Sequence, residues 1–245
     1  MSIVVSEYSI HMDISSPLTA AVASDLHDTP ICKEAVSVLT KLSPDMVLIP
    51  GDLFEEFEKE KNALSFLTDV TKITDVYYSL GNHDRVNEKA IECIKNSGVV
   101  VLDDDYIIRD EICICGLTSG ITSGRHHTER TPPPNLDKLS EFTAINRPKI
   151  LLSHHPEYYK KFIRKKNIDL TVSGHAHGGQ WRIFGRGIYA PGQGLFPKYT
   201  SGVHEGRLVV SRGLGNLTRI PRIFNPPEIV FLNLIPKKQN GEIKI

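Results

Sequence analysis

Leu170-Thr171-Val172-Ser173-Gly174-His175-Ala176-His177-Gly178-Gly179 is a short strand-forming run that breaks into a glycine-flanked turn carrying two imidazoles. Four other apolar runs end in the same way. Leu18–Ser24 runs into Asp25-Leu26-His27, and Met46–Ile49 passes through Pro50 and Gly51 to Asp52. Val76–Leu80 leads to Gly81-Asn82-His83-Asp84, and Ile150–Leu152 leads to Ser153-His154-His155-Pro156. Residues two apart on an extended chain face one side, so Asp25 and His27 are offered together. Gly51, Gly81 and Gly174 each precede a donor and are expected to permit the turn that presents it.

Between these runs the period changes to that of a helix. Ile31, Ala35, Val38, Leu39 and Leu42 share one face, as do Leu64, Leu67 and Val70 after the acidic stretch 55–60, and Ala90, Ile91 and Ile94, with Asn87 placed to cap the last. Further strands are expected at Val99–Leu102, Ile112–Cys115, Leu208–Ser211 and Ile229–Leu234. Strand–helix–strand alternation implies parallel pairing with right-handed crossovers, and a parallel sheet gathers the carboxyl ends of its strands on one edge. The five donor-bearing loops therefore converge. From about residue 178 the chain turns Gly- and Pro-rich with little helix, and Ser119–Asn135, ending in Pro132-Pro133-Pro134, reads as a mobile surface loop. There is no internal repeat, and residues 1–245 read as a single α/β domain.

Composition narrows the function. The chain has 245 residues, 40% hydrophobic and 24% charged, and 29 basic residues balance 29 acidic ones. Zero net charge removes bulk attraction to nucleic acid or an acidic membrane. The halves differ, with 9 Lys+Arg against 21 Asp+Glu in residues 1–122 and 20 against 8 in the remainder. This is either attraction between the halves of one domain, or carboxylates for a cation in the first and positive charge for an anionic substrate in the second. The longest apolar run is four residues, far below the ~20 of a membrane span. No Lys or Arg precedes Lys33, so a basic leader is not expected and the default compartment is the cytoplasm. Cys32, Cys93, Cys113 and Cys115 form no C-x-x-C pair, and Cys113 and Cys115 read as two small apolar residues on one face of a strand.

Taken singly, a D-x-H or G-D pair recurs by chance. The order, each motif after a strand, carries the argument. The pattern D-x-H, G-D, G-N-H-D, H-x-P and G-H-x-H resembles the calcineurin-like metallophosphoesterase superfamily. The strings Asp169–Gln180 and Ser211-Arg212-Gly213-Leu214-Gly215 with Glu228 resemble a bacterial phosphoesterase or phosphohydrolase branch of it. The similarity covers roughly residues 18–235. It implies an α/β fold of two mixed β-sheets packed as a sandwich flanked by helices, in four layers α/β/β/α. It also implies a binuclear centre, with Asp25, His27, Asp52 and His177 on one divalent ion and Asp52, Asn82, His154 and His175 on the other. H-x-P spacing selects His154, leaving His155 a supporting or surface role. Ala176 stands where the family often has Thr.

The donor set, carboxylate, amide and imidazole, suits Mn²⁺, Fe²⁺/Fe³⁺, Zn²⁺, Co²⁺ or Ni²⁺ rather than calcium. Two such ions acidify a bridging water, and the resulting hydroxide is expected to attack phosphorus in line with the leaving oxygen. As an imidazolium, His83 is expected to protonate that oxygen, with Asp84 orienting it. The bland readings are a structural support for His83 and a helix cap for Asp84. The substrate expected is a small phosphodiester or phosphomonoester, with no nucleic-acid or membrane partner. A pyrophosphatase acting on a UDP-linked lipid A precursor is one alternative, for which no apolar groove or amphipathic helix is visible. A non-catalytic scaffold on the same fold is another. Arg182, Arg186, Arg207, Arg212, Arg219 and Arg222 offer one or two contacts to an anion, Trp181 is expected half-buried in the core, and His126 and His127 fall in the loop after Ser119.

Overall fold

Apolar runs too short to form helices bury themselves by pairing side by side. The computed structural model describes residues 2–54, 61–84, 86–119, 132–216 and 221–237. Its strands are β1 (Val4–Met12), β2 (Leu18–Val22), β3 (Met46–Pro50), β4 (Asp75–Ser79), β5 (Val100–Val101), β6 (Asp105–Arg109), β7 (Ile112–Leu117), β8 (Lys149–Ser153) and β9 (Leu170–Ser173). They continue as β10 (Arg182–Ile183), β11 (Arg186–Gly187), β12 (Tyr189–Ala190), β13 (Gly194–Leu195), β14 (Gly202–His204), β15 (Leu208–Val210) and β16 (Glu228–Pro236). The α-helices are α1 (Cys32–Leu42), α2 (Asn62–Val70), α3 (Glu88–Asn96) and α4 (Leu136–Ala144).

Two mixed six-stranded sheets result, in the orders β1-β16-β2-β3-β4-β5 and β14-β15-β9-β8-β7-β6. Strands β2 to β5 run parallel, as do β7, β8, β9 and β15, and β16, β6 and β14 enter antiparallel to β2, β7 and β15. Alternate residues of each strand feed different cores. Ala20, Val22, Met46 and Leu48 of the first sheet meet Ile150, Leu152, Leu170 and Val172 of the second. The opposite face of the first sheet, with Ala21, Val47 and Ile49, packs on Leu39, Leu67 and Ile94 of the helices. The outer face of the second, with Cys113, Cys115 and Leu151, packs on Leu139 and Phe142 of α4. These are the four layers α/β/β/α.

Asn87 caps α3, its side chain accepting from the Ala90 N–H at 2.9 Å, and Asn135 caps α4 in the same way at 3.1 Å from Lys138 N. The side chains of Cys113 and Cys115 lie buried together with their sulfurs 3.6 Å apart. Residues 55–60, His126, His127 and Arg219 lie outside the described residues, as does most of Ser119–Asn135. Among the described residues no helix is long and apolar enough to cross a membrane.

Candidate metal centre

Parallel strands bring their carboxyl ends to one edge of each sheet, and the predicted donors meet where those edges face each other. Asp25, His27 and His177 each place a ligand atom within 4.8 Å of the other two, and Asp52, His154 and His175 do the same. Asp52 stands between the groups, its Oδ2 lying 3.0 Å from His154 Nε2 and 3.9 Å from His27 Nε2. The His27 and His177 rings stack at 5.3 Å, while His154 and His175 meet edge-on at 5.0 Å.

This arrangement is held by unusual backbone. Asp25, His27, Asp52, His175 and His177 all have φ between 44° and 64°. Non-glycine residues adopt this left-handed region sparingly, and such strain gathers at functional sites. Gly51, at φ 92°, makes the turn as expected. Gly81 and Gly174 serve differently, since neither has positive φ. A Cβ on Gly81 would sit 2.1 Å from Asp52 Oδ1, and one on Gly174 2.4 Å from Asp25 Oδ2. Close approach of a carboxylate, rather than turn geometry, requires these two glycines.

Several polar atoms of the predicted donors are buried without a hydrogen-bond partner: Asp25 Oδ2, Asp52 Oδ2, Asn82 Oδ1 and His154 Nε2. Each such atom costs about 1–3 kcal/mol if nothing binds it. Oxygens and an imidazole nitrogen converging in this way fit divalent cations. The orientation fits too. His154 Nδ1–H donates to the Pro50 carbonyl at 2.7 Å, which turns Nε2 toward Asp52.

Charge follows from burial. Burial alone would raise the Asp52 carboxyl, but His154, His27 and His83 outweigh it and hold it well below the usual range. Burial opposes the His154 imidazolium, yet Asp52, Asp25 and the Pro50 carbonyl lift its pKa to about 10. His175 is held well down by burial and by His155 and His154, and His177 is lowered to about 4, chiefly by burial. These last two imidazoles stay neutral, the form in which histidine binds metals.

Asp84 was expected to orient His83 or to cap a helix. Both its oxygens accept backbone N–H groups: Asp52 at 2.7 Å and Gly81 at 2.6 Å on Oδ2, Leu53 and Phe54 at 2.9 Å on Oδ1. One buried carboxylate thus ties the loop after β3 to the loop after β4, and the helix cap is Asn87. Burial and the neighbouring Asp52 push the Asp84 carboxyl up. His83, half-buried, donates its backbone N–H to Asp52 Oδ1 at 2.9 Å and sets its ring edge-on to His27 at 5.4 Å.

His155 is not at the surface. It is buried against Tyr158 and 4.1 Å from the His175 ring, with Nδ1 3.3 Å from Glu157 Oε1. Trp181 is 43% exposed rather than part of the core, its indole N–H donating to the Pro221 carbonyl at 3.0 Å. Arg207 and Arg182 donate to backbone carbonyls and Arg212 pairs with Glu228 at 2.9 Å. Only Arg222 reaches the cluster among these, with Nη2 3.3 Å from His177 Nδ1 and further bonds to the Arg212 and Gly215 carbonyls. Asn225, which sequence reasoning missed, donates to the His177 carbonyl at 2.7 Å. Its only sequence signal is its place between Phe224 and two prolines. The Ser211–Gly215 string closes over Asp25, since Gly215 N–H donates to the Asp25 carbonyl at 2.6 Å.

A family model described as calcineurin-like phosphoesterase matches residues 18–179, the span that holds Asp25, His27, Asp52, Asn82, His154, His175 and His177. The chain belongs to that family. It is 28% identical over 248 residues to an uncharacterized metallophosphoesterase of Helicobacter pylori strain J99, covering 96% of this chain and 65% of that protein. It is 31% identical over 212 residues to an uncharacterized metallophosphoesterase of Campylobacter jejuni, covering 80% and 52%. Phosphodiesterase YaeI of Escherichia coli K12 is 26% identical over 244 residues, covering 91% and 84%. The chain therefore spans two thirds or less of the length of the Helicobacter and Campylobacter relatives.

Proposed function

We propose that the chain is a two-metal phosphoesterase that hydrolyses phosphate esters, with phosphodiesters as the preferred class. The observation that carries the reading is Asp52 Oδ2, a buried oxygen with no hydrogen-bond partner placed between two groups of imidazoles and carboxylates. Asp25, His27, Asp52 and His177 would hold one divalent ion, and Asp52, Asn82, His154 and His175 the other. Bound there, the ions would acidify a water between them and draw charge from the phosphoryl oxygens.

The chain's own groups do the rest. Neutral Asn82 and the neutral imidazoles leave the centre net positive, which favours a phosphate over a neutral ester. Asp84, by holding the Asp52 and Gly81 amides, fixes the separation of the two loops and is a positioning residue. His83 stands at the side of the cluster that is not fully buried, where an imidazolium can give its proton to the departing oxygen. The name of the Escherichia coli relative supports the diester preference.

Asp52→Asn tests the reading. Metal analysis of the purified variant should show fewer than two ions per chain, with turnover of bis-p-nitrophenyl phosphate lost together with them. A variant that keeps both ions contradicts the shared-carboxylate role.

A further inference from the structure

Beyond His177 the chain spends residues 182–195 on two narrow ribbons, β10-β11 and β12-β13, that join neither sheet. Their ends, and the neighbouring segment around Ile223, carry large apolar side chains into solvent. Phe184 is fully exposed, Phe224 is 82% exposed, Phe196 77% and Leu195 69%. The three phenylalanines also have positive φ, at 49°, 52° and 50°. A bulky residue in that conformation is an outlier, and packing inside the molecule does not account for it here. The segments are neighbours: Arg182 N–H donates to the Ile223 carbonyl at 3.0 Å, Ile188 N–H to Trp181 at 2.9 Å, and Phe196 N–H to Ile188 at 2.8 Å.

Positive charge lies beside Phe196. Phe196 borders a groove of about 500 Å³ together with Arg182, Arg186 and Lys198, and a second of about 310 Å³ with Lys160 and Lys161. Exposed rings at ribbon tips among cationic side chains match a headgroup layer, where rings enter the acyl boundary and cations meet lipid phosphates. The ribbons also start at the centre itself. Arg182 Nη1 donates to the Gly178 carbonyl at 2.8 Å, and Asn225 ties His177 to Gln180 through bonds of 2.7 Å and 3.1 Å. A surface that engages the tips thus lies next to a metal ligand in the chain.

We propose that the face bearing Phe184, Phe196 and Phe224 docks on an anionic lipid bilayer, and that the ester cleaved is one carried in the headgroup layer. The docking stands on the surface alone, and the substrate class rests on the phosphoesterase reading above. This departs from the absence of a membrane partner expected from sequence, because the tips are isolated residues in a Gly-rich stretch with no helical or alternating period.

The test is co-sedimentation of the metal-loaded chain with vesicles of phosphatidylcholine alone or equimolar with phosphatidylglycerol, beside turnover of bis-p-nitrophenyl phosphate in solution. The chain should bind the anionic vesicles, more weakly as salt rises, and the F184S/F196S/F224S variant should bind at least about tenfold less tightly while keeping its turnover of the soluble ester. No vesicle binding by the parent, or undiminished binding by the variant, overturns the docking. So does a parent dimer that the variant converts to monomer, since a second copy would then cover the face. Vesicle binding by a metal-loaded chain that turns over no ester leaves the docking standing and overturns the phosphoesterase reading.

Discussion

His83 has a backbone N–H fixed on Asp52 Oδ1 and a ring left at the edge of the cluster, so its removal should spare the metals. His83→Ala is expected to keep metal stoichiometry and lose ~10²–10⁴ in rate with an alkyl leaving group. With p-nitrophenolate, which leaves without a proton, the loss should shrink. Equal losses for both substrates would mean that His83 stabilises the phosphoryl oxygens instead. Asp84 acts one layer behind. In Asp84→Asn an amide group replaces one of two oxygens that each accept two N–H donors, so a donor faces donors in a buried place. We expect a stability loss of about 1–3 kcal/mol and metal affinity ~10–100-fold weaker, read by thermal unfolding and by metal titration. The clustering of these imidazoles and carboxylates was legible because each follows an apolar run. The role of Asp84 was not, because four backbone N–H groups from two loops leave no mark on the order of side chains.

At the scale of elements, the turns after β3 and β4 are packed so closely that one added carbon cannot be absorbed. Gly81→Ala sets a Cβ against the carboxylate and backbone N of Asp52, at 2.1 and 2.5 Å. Neither atom can yield without moving Asp52, the residue that the two proposed ion sites would share. Circular dichroism of Gly81→Ala should remain native-like while metal binding falls at both sites together. Retention of one site at full affinity would show that the turns move independently. All nine strands predicted from apolar runs are present, with ends shifted by three residues or fewer. Strands β1, β6 and β14 escaped because an edge strand needs no apolar run. Val4, Val5 and Glu7 of β1 alternate with polar or half-exposed neighbours and are held by backbone pairing to β16. Helix α4 escaped because its apolar face is short, with Leu139 and Phe142 as its buried residues.

Across the whole molecule the histidines make stability depend on acid. His155, His175 and His177 all take up a proton less readily when folded, through burial first and neighbouring imidazoles second. Unfolded histidine titrates near 6.5, so below that pH the unfolded chain binds more protons and gains on the folded one. For His177 the loss continues until the folded ring itself titrates at about 4. His154, raised to about 10, is already protonated when folded, so it opposes the trend where the unfolded ring still takes up its proton near pH 6.5, and the raised Asp84 opposes it too, two groups against three. The chelated protein should therefore show a Tm that falls steadily as pH drops from about 7 to about 5. A Tm that holds or rises would mean that these rings are not buried together.

Five donors in the left-handed backbone region also imply that the architecture carries a burden unrelated to its own cohesion. The sandwich beneath them is stable enough to force carboxylates and imidazoles into postures they would otherwise leave. Selection for heat resistance alone would relax those postures first, and the sturdiest descendants of this chain would be ones that had given up their chemistry.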